Sequence, residues 1–289
     1  VRGWSSPAAR RAHSARPISR YGDSGSVGSA VVTSSIVTAR EYPHPVRLGV
    51  LDIGSNTVHM LAADVRPGGR PLATTSDRTV LRLMRYLTPD GAIAEQGVQA
   101  LEAAVAQARR VAEEERVDAL LATATSAVRD ARNGSEVIAR IEAVLGQPLQ
   151  VLDGETEAAL TFLAVRRWFG WSAGQLLLLD IGGGSLEIAA GAEEVPDVAA
   201  SVPLGAGRMT VQFLPQDPPG EDDVERLRAH ALTTLDAVTS RFRSLPRPDH
   251  VVGSSKAIRS LARLVGYPVP GWSGIERMLL PRDALGSCR

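Results

Sequence analysis

Leu177-Leu178-Leu179-Asp180-Ile181-Gly182-Gly183-Gly184-Ser185-Leu186-Glu187-Ile188 is an apolar run that ends in an acid, turns on three glycines and leaves as a second apolar run. Continuous aliphatic residues of this length fit a strand buried on both faces. The same design stands earlier in the chain, where Leu48 to Leu51 lead into Asp52-Ile53-Gly54-Ser55-Asn56-Thr57 and then Val58 to Leu61. The two acids are 180 minus 52, or 128, positions apart. Local turn needs do not account for a repeat on that scale, so the chain is read as two related α/β units that each open with a strand, a tight glycine hairpin and a meander.

Such a hairpin has a defined chemistry. Glycine lets the backbone turn closely and leaves amide N–H groups to surround phosphate oxygens, with Ser55, Asn56, Thr57 and Ser185 as side-chain donors. Asp52 and Asp180 can hold a divalent cation, directly or through water. Two hairpins facing one cleft would clamp successive phosphates.

Working outward, Val58 to Val65 and Leu72 to Leu83 read as strands joined by Arg66-Pro67-Gly68-Gly69-Arg70-Pro71. Val98, Leu101, Val105, Ala108 and Val111 recur at helical spacing. Ala119 to Thr123 is a strand; Asn133 with Glu136 suggests a capped helix start ahead of Ile138, Ile141 and Leu145. Leu149 to Leu152 is a short strand, followed by Asp153-Gly154 and a helix carrying Glu157. After the second hairpin come a strand near Val198 to Leu204, a helix from about Asp222 to Phe242, a strand at His250 to Val252 and a helix after Ser255. Residues 1–46, rich in Ser, Arg, Pro, Gly and Ala, read as a disordered leader, with a start assigned too far upstream as one explanation. The expected organisation is therefore leader 1–46, first domain 47–165 and second domain 166–289.

Composition narrows the partners. Thirty-two basic and 32 acidic residues cancel, so no global field draws in nucleic acid or an anionic membrane, and a polyanion must be captured locally. Lys256 is the sole lysine; arginine, the better bidentate phosphate ligand, supplies the remaining positive charge. The single cysteine, Cys288, excludes an intramolecular disulfide framework and a cysteine-based zinc site, which suits a reducing cytoplasm. No 18-residue apolar run is present, so no membrane span is expected.

Five segments, LGVLDIGSNTVHML at 48–61, ATSAVRDARNG at 124–134, VLDGETEAALTF at 151–162, LLLDIGGGSLEI at 177–188 and VVGSSKAIRSLARL at 251–264, together resemble the exopolyphosphatase and guanosine pentaphosphate phosphohydrolase (Ppx/GppA) family. The resemblance implies two duplicated actin-like ATPase (ribonuclease H-like) domains around a cleft. It implies a metal-dependent phosphohydrolase releasing terminal orthophosphate from polyphosphate, the 5′-phosphate of pppGpp, or both. By the same resemblance Glu157 is the catalytic base, Asp180 and Glu187 hold Mg²⁺ or Mn²⁺ with Asp52 more distant, and Arg129 grips a phosphate. Gly54, Ser55, Asn56 and Thr57 line one side of the phosphate row; Gly182, Gly183, Gly184 and Ser185, then Ser254, Ser255 and Lys256, line the other.

Without the family, Glu157 is an ordinary helical glutamate, Glu187 a strand position, Arg129 a loop arginine and His59 a buried, hydrogen-bonded histidine. Arg82 matches more weakly, and Met84-Arg85-Tyr86 departs from the family's acidic, glycine-rich run. The match fades after Val265, giving the expectation of a second domain shortened at its C-terminus. A phosphotransferase of the same superfamily and a non-catalytic polyphosphate or alarmone sensor are the competing readings, and a homodimer is compatible with a sequence that does not fix the oligomeric state.

Overall fold

A computed structural model describes residues 45–67, 69, 71–269 and 277–286. All but the last two residues of the expected leader, part of the first hairpin connection, and Cys288 lie outside them.

The first sheet contains β1 (Val46–Ile53), β2 (Thr57–Val65), β3 (Leu72–Val80), β4 (Ala119–Ala124) and β5 (Gln150–Val151) in the order β3-β2-β1-β4-β5. β1 runs antiparallel to β2 and parallel to β4. The second sheet, β6 (Leu176–Ile181), β7 (Leu186–Gly191), β8 (Val198–Val202) and β9 (His250–Gly253), has the order β8-β7-β6-β9 with the same directions. β6, β7, β8 and β9 thus stand where β1, β2, β3 and β4 stand, and the fold is the duplicated actin-like α/β architecture.

Crossover connections make the parallel pairs possible. α1 (Glu95–Glu114) joins β3 to β4 and turns Val98, Leu101, Val105, Ala108 and Val111 into a core shared with Leu51, Ile53, Val58 and Met60. α2 (Ser126–Arg129) and α3 (Gly134–Leu145) follow β4, and α3 adds Val137, Ile141 and Leu145 to that core. Asn133 precedes α3, but its side chain does not cap the helix. Its Oδ1 instead accepts from Ile93 N–H at 2.8 Å and its Nδ2 donates to Ile93 C=O at 2.9 Å, pinning the loop before α1.

The third strand ends at Val80, short of the expected Leu83. Arg82 takes a left-handed conformation (φ 57°), which no continuing strand tolerates, and Leu83–Tyr86 form a 3₁₀ turn that buries Leu83 and Met84.

α4 (Gly154–Phe169) starts with Asp153 accepting from Thr156 N–H at 2.7 Å. It packs on the second sheet: Ala158 and Phe162 share a cluster with Leu176, Leu178 and Ala189. Complete burial of Phe162 alone contributes about 2–3 kcal/mol to that contact. α5 (Ala206–Phe213) and α6 (Glu221–Thr239) carry the second crossover and cover Leu186, Ile188 and Val202 with Met209, Phe213, Leu227 and Leu235. α7 (Lys256–Val265) follows β9; β10 (Tyr267–Val269) and β11 (Arg277–Leu279) pair with each other before α8 (Arg282–Gly286). No helix among the described residues is long and apolar enough to cross a membrane.

Candidate active site

The duplication extends to single hydrogen bonds. Gly54 N–H donates to Thr57 C=O at 2.9 Å, and, 128 positions on, Gly182 N–H donates to Ser185 C=O at 2.9 Å. Each hairpin also has its carbonyls sealed from behind. In the first, Ser55 C=O accepts from Leu83 N–H (2.8 Å), and Asn56 C=O accepts from Leu81 and Arg82 N–H (2.8 and 3.0 Å). In the second, Gly182 and Gly183 C=O accept from the amides of Ala206 and Arg208, both at 2.9 Å, and Gly184 C=O accepts from Arg208 Nε at 2.7 Å. A trans peptide points its N–H opposite its C=O. Sealing carbonyls 182 to 184 against α5 therefore turns the amides of Gly183, Gly184 and Ser185 away from it, as donors for an anion.

The hairpins meet. A Cβ on Gly183 would lie 2.6 Å from Asn56 Nδ2 and 2.9 Å from Ser55 Cβ, and one on Gly184 would lie 2.7 Å from Ser126 Oγ. Only glycine permits this approach. Ser55 Oγ and Ser126 Oγ are 3.1 Å apart, which ties the first hairpin to α2.

Four carboxylates gather at this seam. Asp180 and Glu187 are register partners on β6 and β7, so their side chains share one face of the sheet. Glu187 is 3% exposed and accepts from Ser201 Oγ at 2.9 Å; Asp180 accepts from Ser254 Oγ at 2.6 Å. Gly154 lies so close to Ser201 that an added Cβ would be 2.4 Å from its Cβ, which sets the first turn of α4, and with it Glu157, beside Glu187. Arg129 Nη1 donates to Glu157 Oε2 at 3.2 Å and to Leu152 C=O at 2.8 Å, while its Nε donates to Asp130 Oδ1 at 3.0 Å.

Burial, then the charge of Glu187, pushes the Glu157 carboxyl up to about 7 against the opposing pull of Arg129. Burial also raises Glu187, despite hydrogen bonds from Ser185 and Ser201, and Asp180, despite Ser254. Asp52 reaches solvent at one edge but is crowded enough for lost hydration to raise it, with His59 and Thr123 acting in the other direction. Neighbouring acids that all resist ionisation are the condition a cation relieves, and their oxygens suit a hard divalent ion. Among the described residues no three acidic, His or Cys side chains stand close enough to hold a metal unaided. The set fits an ion completed by phosphate oxygens and water, as Mg²⁺ commonly is.

Of the remaining expected residues, Ser255 spends its hydroxyl on capping α7, accepting from Ile258 N–H at 3.3 Å. Lys256 is exposed in the first turn of that helix. His59 is half-buried rather than buried and hydrogen bonds Ser76 Oγ at 2.8 Å. Sequence reasoning missed Ser126, Ser201, Asp130 and Arg208. The Gly205-Ala206-Gly207-Arg208 run directly after a strand was the available signal, since glycines there allow a helix start to lie against a hairpin; an added Cβ on Gly205 would be 2.4 Å from Gly184.

Two sheets that share a four-strand plan, each ending its first strand in an acid and a glycine hairpin, define an actin-like ATPase-fold protein. A family model described as the Ppx/GppA phosphatase family matches residues 63–267, and the chain belongs to that family. Exopolyphosphatase 1 of Mycobacterium tuberculosis is 47% identical over 221 residues, covering 76% of this chain and 64% of that protein. Exopolyphosphatase 1 of Mycobacterium leprae is 46% identical over 76% of this chain and 65% of its own. The chain thus spans a little under two thirds of the length of these relatives. A crystal structure of an exopolyphosphatase from Cytophaga hutchinsonii superposes with a TM-score of 0.69 at 29% identity, covering 75% of this chain and 69% of that one. The Aquifex aeolicus Ppx/GppA family member gives 0.59 at 26% identity, covering 76% and 69%.

Proposed function

We propose that this chain hydrolyses the terminal phosphoanhydride of inorganic polyphosphate, releasing orthophosphate, and that the 5′-phosphate of pppGpp is a second substrate of the same site. The observation that carries the reading is Glu157, a half-buried carboxyl held by Arg129 beside two opposed glycine hairpins, with its pKa raised to about 7. The names of the mycobacterial and Cytophaga relatives agree with it.

Successive phosphates would lie along the amides of residues 55–57 and 183–185, with Arg129 and Lys256 adding donors and charge; the Gly54 and Gly182 amides are spent within their own hairpins, and the Ser254 and Ser255 hydroxyls are engaged by Asp180 and by the cap of α7. Glu157 would accept a proton from a water as the water oxygen bonds the terminal phosphorus; the bridging P–O bond breaks in line and the shortened chain leaves as an anion held by the amides. A pKa near working pH keeps a useful fraction of the base ionised while leaving it basic enough to take the proton. Asp180 and Glu187, with Asp52 more distant, are the residues that would hold Mg²⁺ or Mn²⁺, whose charge would offset that of the phosphoryl oxygens.

The test is phosphate release by the purified chain from polyphosphate and pppGpp at matched concentration, with Mg²⁺ and again after chelation. Release that needs the cation and favours polyphosphate is expected. Transfer of phosphate from ATP to an acceptor faster than to water, or binding of polyphosphate without turnover, would overturn the reading.

A further inference from the structure

The end of α2 presents two adjacent residues of opposite charge to the second half of the molecule, and each meets its complement there. Arg129 reaches Glu157 on α4; Asp130 Oδ2 accepts from Arg208 Nη2 on α5 at 3.0 Å. Asp130 Oδ1 accepts from Arg129 Nε, so one carboxylate is shared by two arginines. Arg208 in turn seals Gly184 C=O with its Nε and Gly183 C=O with its amide. An unbroken polar chain therefore runs from Glu157 through Arg129, Asp130 and Arg208 to the second glycine hairpin.

Arg208 is misplaced by helix electrostatics alone, because a cation in a first turn opposes the positive end of the helix. The acceptors it reaches account for its position. Its side chain is 14% exposed and that of Asp130 33%, so the pair is shielded on the arginine side and more open to solvent on the carboxylate side.

We propose that Asp130 and Arg208 are positioning residues, which hold the end of α2 against the second half of the molecule so that Arg129 sits on Glu157 while the amides of residues 183–185 face the phosphate row. This rests on the phosphohydrolase reading for its kinetic consequence, and on the hydrogen bonds alone for its structural one. A cavity of about 370 Å³ opens beside Asp130 and Arg208, between Met84, Ala127 and Val211, so trimming either side chain admits water without unpacking a core.

Arg208→Met and Asp130→Asn are expected each to lower kcat on polyphosphate about 10-fold or more while KM changes less than about threefold, because small misplacements of reacting groups cost rate before they cost binding by many amides. The double variant should be no slower than the slower single variant, as for two parts of one device. Arg208→Lys, which keeps the charge but lacks the separate nitrogens that reach Gly184 C=O and Asp130, should recover part of the loss. Hydrogen exchange of the 177–190 segment should quicken in both single variants, a readout independent of turnover. Fully additive kinetic losses, a change confined to KM, or unaltered exchange in both variants would overturn the proposal. An inactive wild-type chain would instead count against the phosphohydrolase reading, and the exchange comparison would still decide this one.

Discussion

Replacing Glu157 by glutamine tests both halves of the active-site reasoning, the chemistry and its cost in stability. The isostere keeps the volume and an oxygen for Arg129, but it neither ionises nor accepts the proton of a water. Turnover should therefore fall by about two orders of magnitude or more, with polyphosphate binding largely kept. The stability change has a sign fixed by the raised pKa. The folded chain holds a proton on Glu157 up to about pH 7, whereas the unfolded chain releases it near 4.5. Ionisation thus opposes folding progressively as pH rises between those values and fully above the higher one. At about 1.4 kcal/mol per pH unit, a carboxyl moved from 4.5 to about 7 costs on the order of 3–4 kcal/mol, little screened because the side chain is only 18% exposed. Glu157→Gln should accordingly be more stable than wild type by about that amount near pH 8 and no more stable near pH 4.5, measured by urea unfolding in the presence of a chelator. An equal stability difference at both pH values would show that the carboxyl is not desolvated as described. Undiminished turnover would remove Glu157 as the base.

Mg²⁺ should raise the unfolding midpoint more near pH 8 than near pH 5, since ionised carboxylates bind the ion, and Glu187→Gln should lose most of the rise; thermal melts with and without the ion decide it. Gly183→Ala places a methyl within 2.6 Å of Asn56 Nδ2 and 2.9 Å of Ser55 Cβ, so polyphosphate affinity measured by calorimetry should drop about 10-fold or more as the hairpins part. Asn133→Ala strips both partners from the backbone of Ile93 and should destabilise the fold by about 1–3 kcal/mol in urea titrations, an effect of loop pinning and not of helix capping. Arg82→Gly should leave the melting temperature equal or higher, because the left-handed backbone there disfavours any side chain.

The hairpins were legible because their signal is local: an apolar run, an acid and glycines can be recognised in a dozen residues, and two copies 128 positions apart expose the duplication. Asp180 and Glu187 are singled out by the family resemblance and not by periodicity, and the structure makes them register partners across β6 and β7. What sealed the hairpins was not legible. The carbonyl partners come from residues 81–83 and from α5, a two-turn helix opening on glycines that periodicity does not detect. Arg208 and Ser201 matter only through neighbours brought up by the tertiary fold. Asn133 marked a helix start correctly, yet its side chain went to Ile93, since a capping residue's identity does not reveal which competing backbone group it meets. The helix expected after Asp153-Gly154 is α4, but nothing within its own residues names the sheet that receives it.

That sheet is the second one, and the seat of Gly154 against Ser201 fastens Glu157 to the strands that carry Asp180 and Glu187. A hinge motion separating the two sheets would leave Arg129, Asp52 and the first hairpin behind and carry Glu157, Asp180 and Glu187 as a single block. Their crowding is then a permanent property of one half of the molecule, so the demand for a counter-charge outlasts every turnover instead of arising afresh with each substrate.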